Sequence, residues 1–241
     1  MKPEETKTTI SEKRETPLVN RVIMKRTEDV FPEETKLILA GTNLMRRITS
    51  VSKDAIKEFP SNPSLSAIMN LFARNRELVH FSMICLTNGG YASTKVLSRV
   101  ALENILCMRL FKDKPDLATE WFSSPVKFRE NWPPGKIRDE LFSRDSSFNK
   151  AYRVFYEQLC NYSHPSFKGW SEQILKESIL WHPVFSADYA SECIGLIFFV
   201  IVQSLILFKD SFRKWLPENF IVDINNILPK SLQMVRRHFK Y

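Results

Sequence analysis

The sequence predicts an all-α protein, a helical bundle of five or six main helices. Only 6 of its 241 residues are glycine, so tight β-hairpin turns have little to be built from. Apolar residues recur at spacings of three and four, which places them on one face of a helix. The chain is 44% hydrophobic and 26% charged, the composition of a globular protein. One ordinary domain can accommodate this length.

The N-terminal part of the chain differs in composition from the rest. Residues 1–35 are polar and contain three prolines, at positions 3, 17 and 32. Few apolar residues are available there to compensate the entropy of ordering, so we expect a loosely ordered N-terminal arm. The remainder, 36–241, is predicted to be a single helical-bundle domain.

Local start and stop signals divide the bundle into its helices. Pro32 and the two glutamates after it favour a helix start, and Pro60 and Pro63 end that helix. Gly89-Gly90 ends the next helix, and the step from His164 to Pro165 ends a later one. A proline at 229 predicts a bend in the last helix. The main helices are therefore predicted over 36–59, 64–88, 91–111, 147–163, 187–214 and 217–238.

Two stretches lack a clear helical pattern. Residues 112–146 are rich in proline, aspartate and aromatic residues, and only short helices near 115–123 and 135–143 are expected there. Residues 165–185 are predicted to be irregular.

One stretch is apolar enough to be compared with a membrane span. Residues 193–208, CIGLIFFVIVQSLILF, would form about 24 Å of helix. A bilayer core needs roughly 20 apolar residues, and Gln203 and Ser204 interrupt the run. We expect a central helix of the bundle, and membrane association through this helix is the alternative.

The charged residues and cysteines narrow the class of protein. The formal charge of +8 is diffuse, with pairs such as Arg46-Arg47 as its densest clusters, and it permits an RNA or protein partner. The four cysteines are widely spaced and form no C-x-x-C pair, so no metal or cofactor is predicted. The first residues lack the apolar run of a secretory signal. We therefore predict a cytoplasmic protein.

Two predicted helices carry polar residues on faces that turn toward the bundle. Arg99 and Glu103 are four residues apart, and Glu103 lies about 50° from the centre of its helix's apolar stripe. A partly buried carboxylate requires a partner, and an intrahelical ion pair is the simplest one. In 147–163 the second stripe contains Arg153, Tyr156, Cys160 and His164.

These residues carry a resemblance to a known family. Ser98-Arg99-Val100-Ala101-Leu102-Glu103 and Tyr156-Glu157-Gln158-Leu159-Cys160-Asn161-Tyr162-Ser163-His164-Pro165-Ser166 resemble a bacterial family of uncharacterised helical proteins related to the HEPN superfamily. The resemblance covers roughly 65–185, and Cys160 stands where that family usually has serine. It implies that Arg99, Glu103, Tyr156 and His164 are the polar site residues. HEPN-type bundles often form homodimers, so a homodimer is expected.

The wider superfamily includes metal-independent RNases, whose hallmark is an arginine, a polar residue and then a histidine after four to six intervening residues. Arg74, Asn75 and His80 fit that spacing, but Arg74 and His80 would lie about 120° apart on a helix. Arg76 and His80 do share a face. Arg76 is expected to be buried and to pair with Glu103 or another carboxylate. The 74–80 segment is therefore a secondary candidate for the catalytic residues.

Three functions remain open. The first is a HEPN-like interaction or regulatory module in bacterial defence or a toxin–antitoxin pair. The second is a metal-independent endoribonuclease that uses arginine and histidine for general acid–base chemistry. The third is a membrane-associated protein. Phosphate-binding loops, dinucleotide-binding loops and the usual hydrolase motifs are absent from the sequence.

Overall fold

The structure, a computed structural model, describes residues 16–55, 61–142 and 185–239, together with 152, 153, 156, 159, 160, 174, 175, 178 and 179. The helices in this described part are α1 Thr16–Val30, α2 Pro32–Ala55, α3 Pro63–Thr87, α4 Tyr91–Asp113, α5 Asp116–Ser123, α6 Pro125–Asn131, α7 Pro134–Phe142, α8 Ala187–Phe212 and α9 Glu218–His238. Two strands, β1 Ile174–Leu175 and β2 Ser178–Ile179, pair antiparallel. Apart from these two short strands, every element in the described part of the chain is a helix, so the fold is all-α.

Most predicted helices are confirmed within a few residues. The predictions over 64–88, 91–111, 187–214 and 217–238 correspond to α3, α4, α8 and α9. Five described residues between 152 and 160 are also helical, in agreement with the helix predicted there. We call them the tyrosine segment: Tyr152, Arg153, Tyr156, Leu159 and Cys160. Helix α6 and the strand pair were not predicted.

The prediction of a loosely ordered arm over 1–35 is wrong for residues 16–35. They form α1 and the start of α2, and α1 buries Ile23 and Thr27 against the bundle. The main-chain nitrogens of Phe31 and Thr35 donate to carbonyls four residues earlier, at 2.9 and 3.0 Å. Pro32 therefore lies in a first turn, where its missing N–H is tolerated. Residues 1–15 lie outside the described part.

The core is built around α8, which packs against α2, α3, α4 and α9. Phe208 stacks on Phe212 at 4.3 Å between ring centroids and lies 4.2 Å from the ring of Phe72 on α3. Burying one such side chain contributes about 1.5–3 kcal/mol. Helix α8 is long and apolar enough to cross a bilayer, yet 78% of its most apolar window is buried inside the protein. This burial favours a core helix.

Helices α3 and α4 form an antiparallel hairpin that positions the candidate site. The turn between them requires a positive φ of 74° at Gly89, which glycine adopts without steric cost. The Thr94 hydroxyl donates to the carbonyl of Ser82 at 3.2 Å and fixes the register just after the turn. At the far end the Ser64 hydroxyl donates to the carbonyl of Phe111 at 2.7 Å. The hairpin is therefore held at both ends.

Candidate functional site

The side chains of Arg99 and Glu103 form an ion pair along α4. The Nε of Arg99 lies 3.1 Å from Oε1 of Glu103, and the two side chains are 18% and 28% exposed. The pair is therefore partly buried, as the position of Glu103 beside the apolar stripe predicted. Partial burial strengthens the attraction relative to a pair in open water.

Tyr156 of the tyrosine segment joins this pair. Its hydroxyl donates to Oε1 of Glu103 at 3.2 Å, and the guanidinium carbon of Arg99 lies 5.5 Å from the centre of its ring. One carboxylate oxygen thus accepts hydrogen bonds from an arginine and a phenol. The structure brings together three of the four residues that the family resemblance implied. The fourth, His164, lies outside the described residues.

Electrostatic interactions on either side of Tyr156 indicate how the tyrosine segment lies along α4. Tyr152 interacts electrostatically with Cys107, which is one turn beyond Glu103 on α4. Cys160 interacts with Arg99, one turn before Glu103. Residue numbers therefore increase along the tyrosine segment in the direction in which they decrease along α4, so the two run antiparallel.

A second arginine approaches the same phenol from α7. The guanidinium carbon of Arg138 lies 5.9 Å from the centre of the Tyr156 ring, and its Nε donates to Asp139 at 3.1 Å. The rings of Tyr152 and Tyr156 are stacked with 5.5 Å between their centroids. Arg153 of the predicted polar stripe is exposed, whereas Tyr156 is buried. These two members of the stripe therefore have different environments.

Burial determines the protonation of the site. It raises the pKa of the Tyr156 phenol, and the charge of Glu103 raises it further, against the opposing effect of Arg99. Burial raises the pKa of the Cys107 thiol to about 12, with a smaller contribution from Glu103. Burial opposes the charge on Arg99, but the hydrogen bond to Tyr156 and the nearby acidic groups keep its pKa above the ordinary value. At neutral pH the phenol and the thiol are protonated and Arg99 is charged.

The secondary candidate at 74–80 does not form one pocket. Asn75 is fully buried, whereas Arg74 and His80 are exposed. Arg76 is not the buried partner of Glu103 that we expected: its side chain is 26% exposed and pairs with Glu77 at 2.9 Å. The reason is rotational, because Asn75 occupies the position that faces the core.

Asn75 belongs to a buried polar network between three helices. Its Oδ1 accepts from the side-chain amide of Asn104 on α4 at 2.8 Å. Its own amide donates to the hydroxyl of Ser204 on α8 at 3.1 Å. The segment predicted as a nuclease motif thus contributes its central polar residue to the core.

Sequence reasoning missed a second polar cluster, where α2, α8 and α9 meet. Nε2 of His238 lies 3.2 Å from Oε1 of Glu34, and Nδ1 lies 2.7 Å from the hydroxyl of Ser191. Arg237 also pairs with Glu34, at 3.1 Å. No spacing signal could reveal this cluster, because Glu34 and His238 are 204 positions apart.

The line Ser191–His238–Glu34 has the order of a nucleophile, a base and a carboxylate. Ser191 lies inside α8, so its main-chain N–H is directed along the helix and cannot stabilise an oxyanion. The side chains of His238 and Glu34 are 4% and 6% exposed. The cluster therefore joins three helices, and the main-chain N–H of Ser191 is not available to an acyl intermediate.

Another missed contact joins α4 to α8. The buried ammonium of Lys95 pairs with Glu192 at 2.9 Å and lies 5.2 Å from the centre of the Tyr189 ring. Within the described ranges, no group of three histidine, cysteine, aspartate or glutamate side chains could hold a metal ion.

Comparison with known proteins gives no relative of this chain. No protein-family model, no curated protein and no solved structure matches it.

Proposed function

We propose that this chain is a HEPN-like helical module that acts by binding a partner rather than by catalysis. The observation that carries the proposal is the shared oxygen of Glu103, which accepts from both Arg99 and Tyr156. A carboxylate engaged in this way ties α4 to the tyrosine segment. Its Oε1 is poorly placed to accept a substrate proton, since the lone pairs of that oxygen already accept hydrogen bonds from Arg99 and Tyr156.

The raised pKa values around this carboxylate support the same proposal. General acid–base catalysis is most efficient when the pKa of the acting group lies near the working pH. Tyr156 and Cys107 are displaced upward, away from neutrality. In this proposal the module works in bacterial defence or a toxin–antitoxin pair, as a homodimer, and its partner is a protein or RNA. The motif resemblance supports these assignments.

A metal-independent endoribonuclease is the second candidate, and the convergence of Arg99, Glu103 and Tyr156 favours it. An arginine beside a phenol could stabilise the charge of a phosphate during cleavage. In that reading His164 would supply the proton transfer that the other three residues cannot.

An RNA cleavage assay separates the two candidates. Labelled single-stranded RNA is incubated with protein in the presence of a chelator, comparing wild type, Arg99→Ala, His164→Ala and His80→Ala. The binding module leaves the RNA at full length in every case. Cleavage by wild type that is lost in Arg99→Ala and His164→Ala but retained in His80→Ala would establish the nuclease and overturn the proposal.

A further inference from the structure

Helices α2 and α9 lie side by side and antiparallel, joined at both ends of their contact. Arg47 pairs with Asp223 at 3.0 Å at one end, and Glu34 pairs with Arg237 at 3.1 Å at the other. Gly41 lies between them on α2, and a Cβ there would be 3.1 Å from Ile201 on α8. The absence of a side chain at position 41 thus allows α2 to approach the core closely.

The exposed surface between these end pairs is rich in hydrogen-bond donors and contains no acidic residue. On α2 no aspartate or glutamate occurs from Lys36 to Ser50, and on α9 none occurs from Ile224 to His238. We call this surface the α2–α9 face; its exposed charged and amide residues are Lys36, Asn43, Arg46, Arg47, Asn226, Lys230, Gln233, Arg236 and Arg237.

Four cations of the α2–α9 face have no ion-pair partner within the described ranges. They are Lys36, Arg46, Lys230 and Arg236, and all four are exposed. Lys36 and Arg236 lie opposite one another on the two antiparallel helices. Glu34 contacts His238, and each of the two cations is two residues from one member of that contact, toward the middle of the helix pair. Lys230 follows about 9 Å along α9. These charges are therefore spread along the pair of helices rather than concentrated at one point.

A neighbouring part of the protein shows that the excess of cations is particular to the α2–α9 face. Residues 112–142, which include α5, α6 and α7, contain six lysines and arginines and six aspartates and glutamates. Several of those charges neutralise one another, for example Lys114 with Glu140 at 2.9 Å. On the α2–α9 face the acidic residues occur only at the ends, where Arg47 and Arg237 already pair with them.

We propose that the α2–α9 face binds the phosphate backbone of RNA. Lysine, arginine, asparagine and glutamine side chains are the usual donors to phosphate oxygens, and a polyanion gains affinity by releasing counterions from such a surface. This assignment rests on the proposed binding function and names its partner. The fit comes from charge complementarity over about 16 Å of α2, between Lys36 and Arg47.

The face suits a nucleic acid better than an anionic membrane. Membrane-surface helices insert a continuous apolar stripe beside their cations. The large exposed apolar residues of these two helices are Leu39 on α2 and, ten residues apart on α9, Val222 and Leu232. They do not form one stripe between α2 and α9.

The test measures the affinity of the full chain for a fluorescent single-stranded RNA as a function of salt. The variant Lys36→Ala/Lys230→Ala/Arg236→Ala removes three of the four unpaired cations. The control Lys127→Ala/Arg213→Ala/Lys214→Ala removes three exposed cations elsewhere and changes the net charge equally. Loss of three phosphate contacts lowers the slope of log affinity against log salt by about 2. We expect that change, with at least a tenfold loss of affinity, in the face variant, and a change below twofold in the control.

The outcomes distinguish this inference from the proposed function. Equal weakening by both triple variants, or none by the face variant, would overturn the assignment of the face and leave the binding function intact. A wild-type chain that binds no RNA, but binds vesicles of phosphatidylcholine and phosphatidylserine through the same three residues, would replace the RNA by a lipid surface. RNA cleavage in the same samples would instead remove the proposed function. Thermal unfolding of each variant confirms that it is folded.

Discussion

The ring of Phe239 occupies the space in which a side chain at Gly195 would begin. A Cβ at position 195 would overlap Cε2 and would lie 2.8 Å from Cδ2 of that ring. Ser191 is one turn earlier on α8 and contacts His238, the residue before Phe239. His238 and Phe239, which are consecutive, therefore contact Ser191 and Gly195, which are four residues apart on α8.

Replacing Gly195 by alanine should loosen this end of α9. The new methyl group overlaps an aromatic ring, and overpacking of this kind costs about 1–3 kcal/mol. Urea denaturation should therefore show a lower free energy of unfolding. Gly195→Ala combined with Phe239→Ala should cost less than the sum of the two single changes, because the overlap is removed.

Gly135→Ala is the matched control for that experiment. It lies in α7, and nothing lies within 4 Å of its added Cβ. Alanine favours a helix over glycine by about 1 kcal/mol, so this variant should equal wild type or exceed it. If both variants lost stability equally, the contact with Phe239 would not be the cause.

Asn75→Ala should destabilise the core more than its size suggests. The change removes one partner of Asn104 and one of Ser204, and each group then remains buried with a hydrogen bond lost. An unsatisfied buried polar group costs about 1–3 kcal/mol. Asn43→Ala, at an exposed position of α2, should change the free energy of unfolding by no more than about 0.5 kcal/mol.

Tyr156→Phe and Glu103→Gln should not act independently. The phenol donates to the same oxygen that pairs with Arg99, so removing either partner alters the bonds of the other. Tyr156→Phe should cost about 0.5–1.5 kcal/mol. A double-mutant cycle measured by urea denaturation should give a coupling of at least about 0.5 kcal/mol. Strict additivity would show that the hydrogen bond between them contributes nothing.

Stability should fall in two steps on acidification, because of Glu34 and His238. Burial lowers the pKa of His238 below its ordinary 6.5 despite the opposing effect of Glu34, so the folded protein favours neutral imidazole. This contribution is complete above pH 6.5 and is lost as the pH falls through the pKa of the folded state. Burial raises the pKa of Glu34, but its hydrogen bonds to the backbone, Arg237 and His238 outweigh that effect, and the pKa lies below 4.5. Its contribution is lost at still lower pH.

The groups that face His238 within the described part are Glu34 from α2, Arg237 from α9 and the uncharged Ser191 from α8. Thermal unfolding of wild type and His238→Gln across this pH range should separate the two steps. The variant should keep the lower step and lose the upper one. An upper step of equal size in both proteins would assign it to another group.

Apolar spacing and helix breaks were sufficient to predict most of the helices. They failed at α1, because the polar composition of 1–35 outweighed the apolar residues around Ile23, and burial of Ile23 and Thr27 against the bundle decides the outcome. They also failed at Asn75, where a polar side chain occupies a core position and turns Arg76 outward. In both cases the deciding contact is with another helix, and local sequence contains no record of it.

The candidate site was predictable only in part, for a similar reason. Arg99 and Glu103 are four apart on one helix, so local geometry brings them together. The motif resemblance alone implied their contact with Tyr156. Nothing in the sequence indicated the pairing of Glu34 with His238. Contacts across some 200 residues depend on how the whole bundle packs.

The antiparallel pairing of α2 with α9 also has a consequence during protein synthesis. At about 5–20 residues per second, the ribosome releases α2 roughly 10–40 s before the last helix that covers it. The α3–α4 hairpin is complete long before then, since its contacts are close in sequence. For that interval the apolar side of α2 can make its native contacts with α3 but not those with α8 and α9. The surface formed by α2 and α9 can arise only after α9 has been synthesised.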